Sequence, residues 1–553
     1  MPLFRRKPIT DGTIVCPYCF EKAFRNDEVL FKDSSSNTIY TPAEDGGKFT
    51  YIEFIDQKGR TNRVVDGYIP KGFSEASRLT ERLCPHCKES IPKNLGLSES
   101  KVLAVVGSTQ IGKTVYIFSL LDELNKNLTN KFHDMNFSFE DPDMLNYFQN
   151  KIYEIYSGQL QPTPPGQIIK PVIVNIKNNA TGQLIVISFY DFAGESTAEQ
   201  IQQISKRQIE NASAMLILFD LTQSQTMFKS VIDNQIYCQE RQKEKLVAKL
   251  GASSETLEKI LKFNLLDVSN SDFLNKRVEE IQKELNNAKY EVETSDSDFE
   301  RGRALDKVKK LNDELNNVIS ELNKVNAENN KSMSEISEVL QRSITNSEID
   351  LIRKIKSISD KIHRLSEDKK YYGMHYIEND DAYKPHDTPS NWVNTVFTHG
   401  IQAAVARGAN NDTPIAVVGT KSDEVYEAIT RGFHKINESN KVLYDSITGQ
   451  LSEIPNQRPN VFNLSEMQRI SAFVENQLLK DDASFKSSLD TLFADKAYFA
   501  VSALGTRYIE EEKKDSNGRI TISKKPEGDI NHWRVEEPLL WLLYRLGMIN
   551  GEY

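Results

Sequence analysis

The stretch Lys101-Val-Leu-Ala-Val-Val-Gly-Ser-Thr-Gln-Ile-Gly-Lys-Thr114 decides how the rest of the chain is read. Val102 to Val106 is an uninterrupted apolar run, the pattern of a strand buried on both faces. Gly107 follows, then four residues, then Gly112-Lys113-Thr114 and the apolar helix start Val115-Tyr-Ile-Phe-Ser-Leu-Leu121. Strand, glycine-rich turn and helix form the context in which this spacing holds phosphate. The glycines let backbone N–H groups curl around phosphate oxygens, and the helix N-terminus favours negative charge. Lys113 is suited to bridge the β- and γ-phosphates of a nucleotide, and the Thr114 hydroxyl to ligate Mg²⁺. The alternative is a tight strand-to-helix turn carrying an exposed lysine.

A chain of 553 residues exceeds one compact core and reads as about three domains. Its net charge of −10 argues against a general nucleic-acid binder. No apolar run is long enough to span a bilayer, and Leu539-Leu-Trp-Leu-Leu-Tyr544 is far too short. Met1-Pro-Leu-Phe-Arg-Arg-Lys7 starts basic but lacks an apolar signal core, and Pro2 stands where myristoylation needs glycine. The expectation is a soluble cytoplasmic protein. Five cysteines in this length do not resemble a secreted disulfide scaffold.

Four of those cysteines form two matched pairs, Cys16-Pro-Tyr-Cys19 and Cys84-Pro-His-Cys87. A two-residue gap lets one turn present two thiolates to one metal. Four thiolates suit tetrahedral Zn²⁺ and leave no open position, so the expected site is structural. Strand-like runs such as Phe49-Thr-Tyr-Ile-Glu-Phe-Ile55 read as an insertion within a zinc-ribbon-like module. Redox chemistry is the alternative for either pair alone. His86 is a possible substitute ligand expected to point away, and Cys238 an ordinary thiol on a helix.

Further buried-strand candidates are Pro171–Ile176, Leu184–Tyr190, Ala214–Phe219, Pro414–Val418 and Ala497–Val501. Short, β-branched and separated by helical patterns, they signal an open α/β sheet. Between about 224 and 390 the strand signal gives way to apolar residues spaced alternately by three and four. The sets are Val278, Ile281, Leu285, Ala288; Val308, Leu311, Leu315, Val318, Leu322, Val325; and Ile355, Ile358, Ile362, Leu365. These seams predict an antiparallel coiled coil, with breaks near Ser295–Asp298, Asn329-Asn330 and Thr345-Asn346. A plain helical bundle is the alternative. A helix is expected from Asn391 onward, and a terminal one over Val535–Leu546 with Pro in its first turn.

Three more short motifs sit at predicted strand ends. Asp191-Phe-Ala-Gly194-Glu195 offers a carboxylate for Mg²⁺ and a backbone N–H for a γ-phosphate. Thr420-Lys421-Ser-Asp423 offers a carboxylate that can accept two hydrogen bonds from the N1–H and exocyclic amine of guanine, a donor pair adenine lacks. Ser502-Ala503-Leu504 offers backbone for the guanine O6.

With these motifs in order, the chain resembles the translation-factor-related, Ras-like P-loop GTPases over about 99–223 and 391–553. The resemblance implies a P-loop GTPase-like open α/β sheet with GTP or GDP and Mg²⁺ as ligands. It places Gly107, Gln110, Gly112, Lys113, Thr114 and Val115 at the phosphates. Asp191 and Thr114 fall near Mg²⁺, Gly194 at the γ-phosphate, and Lys421 and Asp423 at the base with Thr420, Ser502, Ala503 and Leu504 in support. The implied division is 1–98 zinc-ribbon-like module, 99–223 and 391–553 two halves of a GTPase domain, and 224–390 a helical coiled-coil insertion. The N-terminal cysteine pairs and the terminal Glu-Pro-Leu-Leu-Trp-Leu-Leu helix are similar to the bacterial double-GTPase group, which is expected in multi-component, often defence-related, systems.

Departures from the family pattern shape the functional expectation. Glu195 stands where Ras-like enzymes orient water with glutamine, and its charge near a γ-phosphate is unfavourable, so slow hydrolysis is expected. Thr109 and Gln110 crowd a loop where many relatives carry glycine. Thr163, in Gln161-Pro-Thr-Pro-Pro-Gly166, is the candidate switch threonine for Mg²⁺, with a plain proline-rich turn as the alternative. The insertion follows Phe219-Asp-Leu-Thr-Gln223 and so leaves from a strand's carboxyl end, the ligand edge of open α/β sheets. The expectation is a slow GTPase, with Lys113, Gly194 and Glu195 in the chemistry, that signals to protein partners through the arm. The alternatives are a nucleotide-binding scaffold with little hydrolysis, a static spacer or oligomerisation stalk, and a mechanochemical ATPase, which Asp423 argues against.

Overall fold

The computed structural model describes the chain apart from residues 1–12, 20–23, 56–60, 93–94, 96–98, 108–110, 141, 159–170, 181, 190–211, 262–267, 295–297, 341–344, 371, 373, 378–381, 386–388, 390–412, 437–460, 507, 515–519 and 527. It divides into two compact units, one of Met1–Val231, Tyr372–Ile509 and Lys524–Tyr553, the other of Ile232–Tyr371 and Glu510–Ser523.

A seven-stranded sheet centres the first unit. Its strands are β1 (Glu99–Gly107), β2 (Met135–Phe139), β3 (Val172–Asn178), β4 (Gln183–Phe189), β5 (Ala214–Asp220), β6 (Ile415–Thr420) and β7 (Lys496–Ala500). Their spatial order is β7-β6-β5-β1-β4-β3-β2. The five strands from β7 to β4 run parallel, and β3 is antiparallel to both β4 and β2. Every residue of β5 and β6 is buried, as their unbroken apolar runs predict for strands covered on both faces.

The helices of eight residues or more among the described residues are α1 (Lys113–Lys131), α2 (Pro142–Ser157), α3 (Phe228–Leu250), α4 (Ser254–Leu261), α5 (Val268–Thr294), α6 (Asp298–Leu340), α7 (Asn346–Asp368), α8 (Ser422–Thr430), α9 (Leu464–Phe473), α10 (Ala483–Leu492) and α11 (Glu537–Arg545). Strand alternation sorts them into layers. Leu103, Val105, Leu216, Leu218, Ala416, Val418 and Phe499 face one side, where they meet α1, α2 and α11. Ala104, Met215, Ile217, Phe219, Ile415, Val417 and Tyr498 face the other, against α8, α9 and α10. On that second side Ile173 and Val186 are covered by the N-terminal module, whose core is Ile14, Phe24, Val29, Phe31, Val65 and Tyr68. The module carries a three-stranded sheet of Leu30–Lys32, Ile39–Tyr40 and Glu81–Leu83 and a hairpin of Lys48–Ile55 with Thr61–Ile69.

In the second unit α5 and α6 pair antiparallel. Arg277 of α5 bonds Glu314 of α6, while Glu291 bonds Lys307, so the numbering runs oppositely along the two helices. Ile281, Leu285 and Ala288 pack on Leu311, flanked by Val308, Leu315 and Val318. A second small core joins Leu250 of α3, Leu257 and Ile260 of α4, Ile336 of α6 and Ile352 and Ile355 of α7. Helix α7 starts at a capping box in which Thr345 accepts from the Glu348 N–H, and Glu348 accepts from the Thr345 N–H.

Two sequence readings are corrected. Asn329-Asn330 is not a break, because α6 runs unbroken from Asp298 to Leu340. Asparagine disfavours a helix interior by well under about 1 kcal/mol, and α6 carries core positions on both sides of the pair, Leu311 and Ile336. The strand signal also does not vanish over 224–390, since Met374–Ile377 pairs antiparallel with Ala382–Pro385. The terminal helix starts at Glu537, with Pro538 in its first turn. The helix expected from Asn391 lies outside the described residues. No helix among the described residues is long and apolar enough to cross a membrane.

Candidate functional site

The first candidate is a cluster of thiols. Cys16, Cys19, Cys84 and Cys87 bring their four Sγ atoms within 4.8 Å of one another. Cys16 Sγ lies 3.7 Å from Cys87 Sγ, and Cys19 Sγ lies 3.8 Å from Cys84 Sγ, so each pair interleaves with the other. The Tyr18 and His86 backbone N–H groups each donate to a sulfur, of Cys16 and of Cys84, at 3.4 Å. Such N–H···S bonds favour thiolate over thiol. Hydrogen bonding among the four sulfurs pulls the Cys84 thiol below the ordinary range and pushes the Cys16 thiol above it. Four converging sulfurs are the donor set of a closed tetrahedral zinc site, and these residues fit such an ion. The His86 ring is not a member of the cluster and meets Phe24 edge-on at 5.9 Å. Cys238 is a half-buried thiol on α3.

The second candidate lies along the carboxyl ends of β1, β5, β6 and β7. Parallel register aligns these ends: Leu218 pairs with Gly107, Asp220 with Thr420, and Gly419 with Ala500. The β1 turn closes on itself through the Lys113 ammonium, which donates to the Gly107 carbonyl at 2.8 Å. A Cβ on Gly107 would crowd Ile111 Cδ1 and the Leu218 carbonyl, and Gly112 has φ of 83° in the left-handed region, so the turn needs glycine at 112. The N-cap of α1 is Gly112, which has no side chain to cap it. A helix N-terminus beside a lysine suits a phosphate. Thr114 and Val115 occupy the first turn of α1, both half-buried.

The β6 end is stitched to that turn. The Thr420 hydroxyl shares its proton between the Ile111 carbonyl at 2.9 Å and the Phe219 carbonyl at 3.1 Å. Lys421 holds a left-handed backbone, φ of 59°, which costs a non-glycine residue roughly 1–2 kcal/mol. Its ammonium bonds Asp220 Oδ2 at 2.6 Å. Burial works against the Lys421 charge, but the carboxylates of Asp220, Glu424 and Asp423 together outweigh it and raise the pKa, an effect that solvent screens because the side chain is 36% exposed. Asp220 Oδ1 in turn accepts from the Thr222 N–H at 2.9 Å and hydroxyl at 2.6 Å.

Asp423, in the first turn of α8, accepts from the Ser502 hydroxyl at 2.6 Å, and Ser502 Oγ accepts from the Gly505 N–H at 2.8 Å. Burial pushes the Asp423 carboxyl up, and the Ser502 hydrogen bond pulls it part of the way back. Ala503 is half-buried and Leu504 buried. Among the described residues neither the Ala503 nor the Leu504 backbone N–H has a hydrogen-bond partner. The arrangement therefore sets a carboxylate acceptor beside two backbone donors.

Gly107, Gly112, Lys113, Thr420, Lys421, Asp423 and Ser502 thus come together along one sheet edge. Gln110, Thr163, Asp191, Gly194 and Glu195 lie outside the described residues. Sequence reasoning missed two partners of this edge. One is Asp220, hidden because an acidic residue ending a strand looks like an ordinary turn. The other is the segment Asn531-His-Trp-Arg534, which carries no spacing rule but stitches the 502–505 loop. Ser502 and Trp533 exchange backbone bonds at 3.1 and 2.9 Å, and the Asn531 N–H donates to the Leu504 carbonyl at 2.9 Å. A dense run of hydrogen-bonding side chains ahead of an apolar helix was the available signal.

No protein-family model, curated protein or solved structure matches the chain. Its own geometry gives a mixed α/β protein with a central, mostly parallel sheet and a four-cysteine cluster fit for a metal ion such as zinc.

Proposed function

We propose that this chain is a guanine-nucleotide switch that binds GTP with Mg²⁺, hydrolyses it slowly to GDP and phosphate, and signals through its helical arm to protein partners. The observation that carries the reading is the Asp423–Ser502 hydrogen bond, one strand end away from the Thr420–Ile111 bond. Phosphate-type and base-type residues are thereby tied within one set of hydrogen bonds. Lys113 and the N-terminus of α1 hold the phosphates and stabilise their charge, and Asp423 selects guanine through its N1–H and amine. Mg²⁺, when bound, supplies charge neutralisation, with Thr114 as its described ligand. Zinc on the four cysteines is structural.

The Asp220–Lys421 pair supports a switch. The same carboxylate that holds Lys421 also caps Thr222, at the root of the 224–390 insertion. Farther along, Asp482 accepts from the Gln225 N–H at 3.0 Å, fixing the chain where it departs. A change at the base side therefore has a short bonded route to that root. The narrower expectation of a bacterial multi-component, defence-type system rests on the terminal helix and the cysteine pairs alone.

The test is the nucleotide content and turnover of the purified protein with GTP and with ATP. Guanine nucleotide bound, and slow GTP turnover, are expected. ATP preference, or no nucleotide binding, overturns the proposal. Glu195 favours a second reading, a scaffold that binds GTP without hydrolysis, and tight GTP binding with no turnover would select it.

A further inference from the structure

The 502–505 loop is gripped by a cluster that the proposed reaction does not use. His532 Nδ1 bonds the Ala503 carbonyl. A carbonyl oxygen can only accept, so Nδ1 carries a proton. The other face of the ring meets α1 and α2: Nε2 is 3.2 Å from the Tyr156 hydroxyl and 3.4 Å from Asp122 Oδ2. Asp122 also accepts from Tyr156 and, at 2.6 Å, from Lys126. The imidazole keeps only 9% of its surface exposed and Asp122 only 5%, so ring and carboxylate are fixed by packing as well as by bonds.

The consequence follows from peptide geometry. The Ala503–Leu504 peptide is planar and trans, so its C=O and N–H point in opposite directions. Drawing the carbonyl in toward His532 turns the Leu504 N–H the other way. That N–H and the one on Ala503 are the two donors without a partner among the described residues, next to Asp423. A loop tethered only by Asn531 and Trp533 would leave this peptide free to rotate.

We propose that His532 is a positioning residue that aims the Leu504 backbone N–H at O6 of a bound guanine. The proposal rests on the guanine-nucleotide reading. Asp423 would then read the N1–H and amine edge, while the donor oriented by His532 reads the oxo group. Discrimination is divided between a side chain and a peptide held from behind.

The experiment compares three ligands on the full-length protein: GDP, inosine diphosphate, which lacks the amine, and 6-thioguanosine diphosphate, in which sulfur replaces O6. Dissociation constants are measured for wild type, His532→Ala and His532→Gln. In wild type, GDP binds tightest of the three. In His532→Ala, GDP should weaken by about tenfold, the worth of one well-formed hydrogen bond. Its preference over the 6-thio ligand should collapse toward unity, while its preference over inosine diphosphate is unchanged. His532→Gln, whose amide can still donate to the carbonyl, should recover part of the O6 preference. A merely structural loss would weaken all three ligands alike, and incomplete folding shifts neither ratio because all are measured on one preparation. Retention of the full O6 preference in His532→Ala overturns the assignment of His532. Wild-type protein with no preference for GDP over inosine diphosphate overturns the guanine reading itself.

Discussion

The four-cysteine cluster and the strand-end edge both gather distant parts of the chain, but they are held together in opposite ways. Cys16 and Cys87 meet across 71 residues, and the cluster's bonds are long contacts between sulfurs. Sulfur is a weak donor and a weak acceptor, so four thiols cannot anchor that closure without a cation. The strand-end edge carries its own supports: Thr420 on Ile111, Lys421 on Asp220, Ser502 on Asp423, and Ser502 paired with Trp533. The first region offers a donor set that a metal ion would complete, whereas the second carries its own supports. A preorganised site spends little of its binding free energy on ordering, which would suit the nucleotide switch proposed above.

Breaking the metal centre should have the largest effect. Structural zinc contributes on the order of 10 kcal/mol to small metal-dependent modules. Cys84→Ser, or a strong chelator, should remove the metal, expected at about one zinc per chain. It should also melt the packing of Phe31, Val65 and Tyr68 and uncover Ile173 and Val186 of the main sheet. Metal analysis with a thermal melt reads both effects. Unchanged melting after complete metal loss would show that the cluster is self-supporting, and the contrast between the two regions would fail.

Asp423→Asn is the corresponding test of the second region. An amide presents one acceptor and one donor, so guanine should weaken by roughly a hundredfold, given about 1.5–3 kcal/mol per charge-assisted bond. Xanthine nucleotide should gain relative to it. Zinc content and melting temperature should hold, because Ser502 can still donate to the amide oxygen. Guanine preference that survives the change removes Asp423 from the base site. A smaller effect is expected from Asp220→Asn, which keeps the shape of the Thr222 cap but discharges the partner of Lys421. GDP should weaken severalfold, and amide exchange over 222–227 should rise. Exchange that stays at the wild-type level would uncouple the base side from the root of the arm.

The contrast also explains what the sequence made legible. Strands β5 and β6 could be read because they are buried on both faces and therefore unbrokenly apolar. The cysteine pairs could be read because metal geometry dictates a two-residue gap. The pairing of α5 with α6 showed in the spacing of Ile281, Leu285 and Leu311. Strand β2 could not be found: Met135–Phe139 is a five-residue edge strand whose alternating burial resembles a loop with occasional apolar residues. Of the paired strands Tyr508–Lys514 and Ile520–Pro526, the first hid for another reason, being written largely in Glu and Lys. Within the candidate site, residues on strand-end motifs were visible, but His532, Asp122 and Tyr156 were not. They act from three separate segments, and no local spacing links them.

Asp122 gives the finest test of the preorganised edge, because its charge is legible in pH. Burial raises its pKa, but the hydrogen bonds from His532, Lys126 and Tyr156 outweigh burial and hold the carboxyl at about 2, below its ordinary 3.8. A carboxyl depressed in the folded state contributes stability that is complete above the unfolded value and is lost as pH falls through the folded one. The contribution is therefore present at pH 5 and fades between about pH 4 and pH 2. Over that whole span the shift corresponds to about 2 kcal/mol, of which about 1 kcal/mol is lost between pH 5 and pH 3. Wild type should lose about that much more than Asp122→Asn across the same interval, read from urea unfolding midpoints. Acid also protonates the cysteine thiolates and releases metal from the N-terminal module, but it does so equally in both proteins and cancels in the difference. Identical acid slopes in the two proteins would mean that Asp122 does not hold its charge against His532 and Tyr156, and that the 502–505 loop is tied to α1 by packing alone.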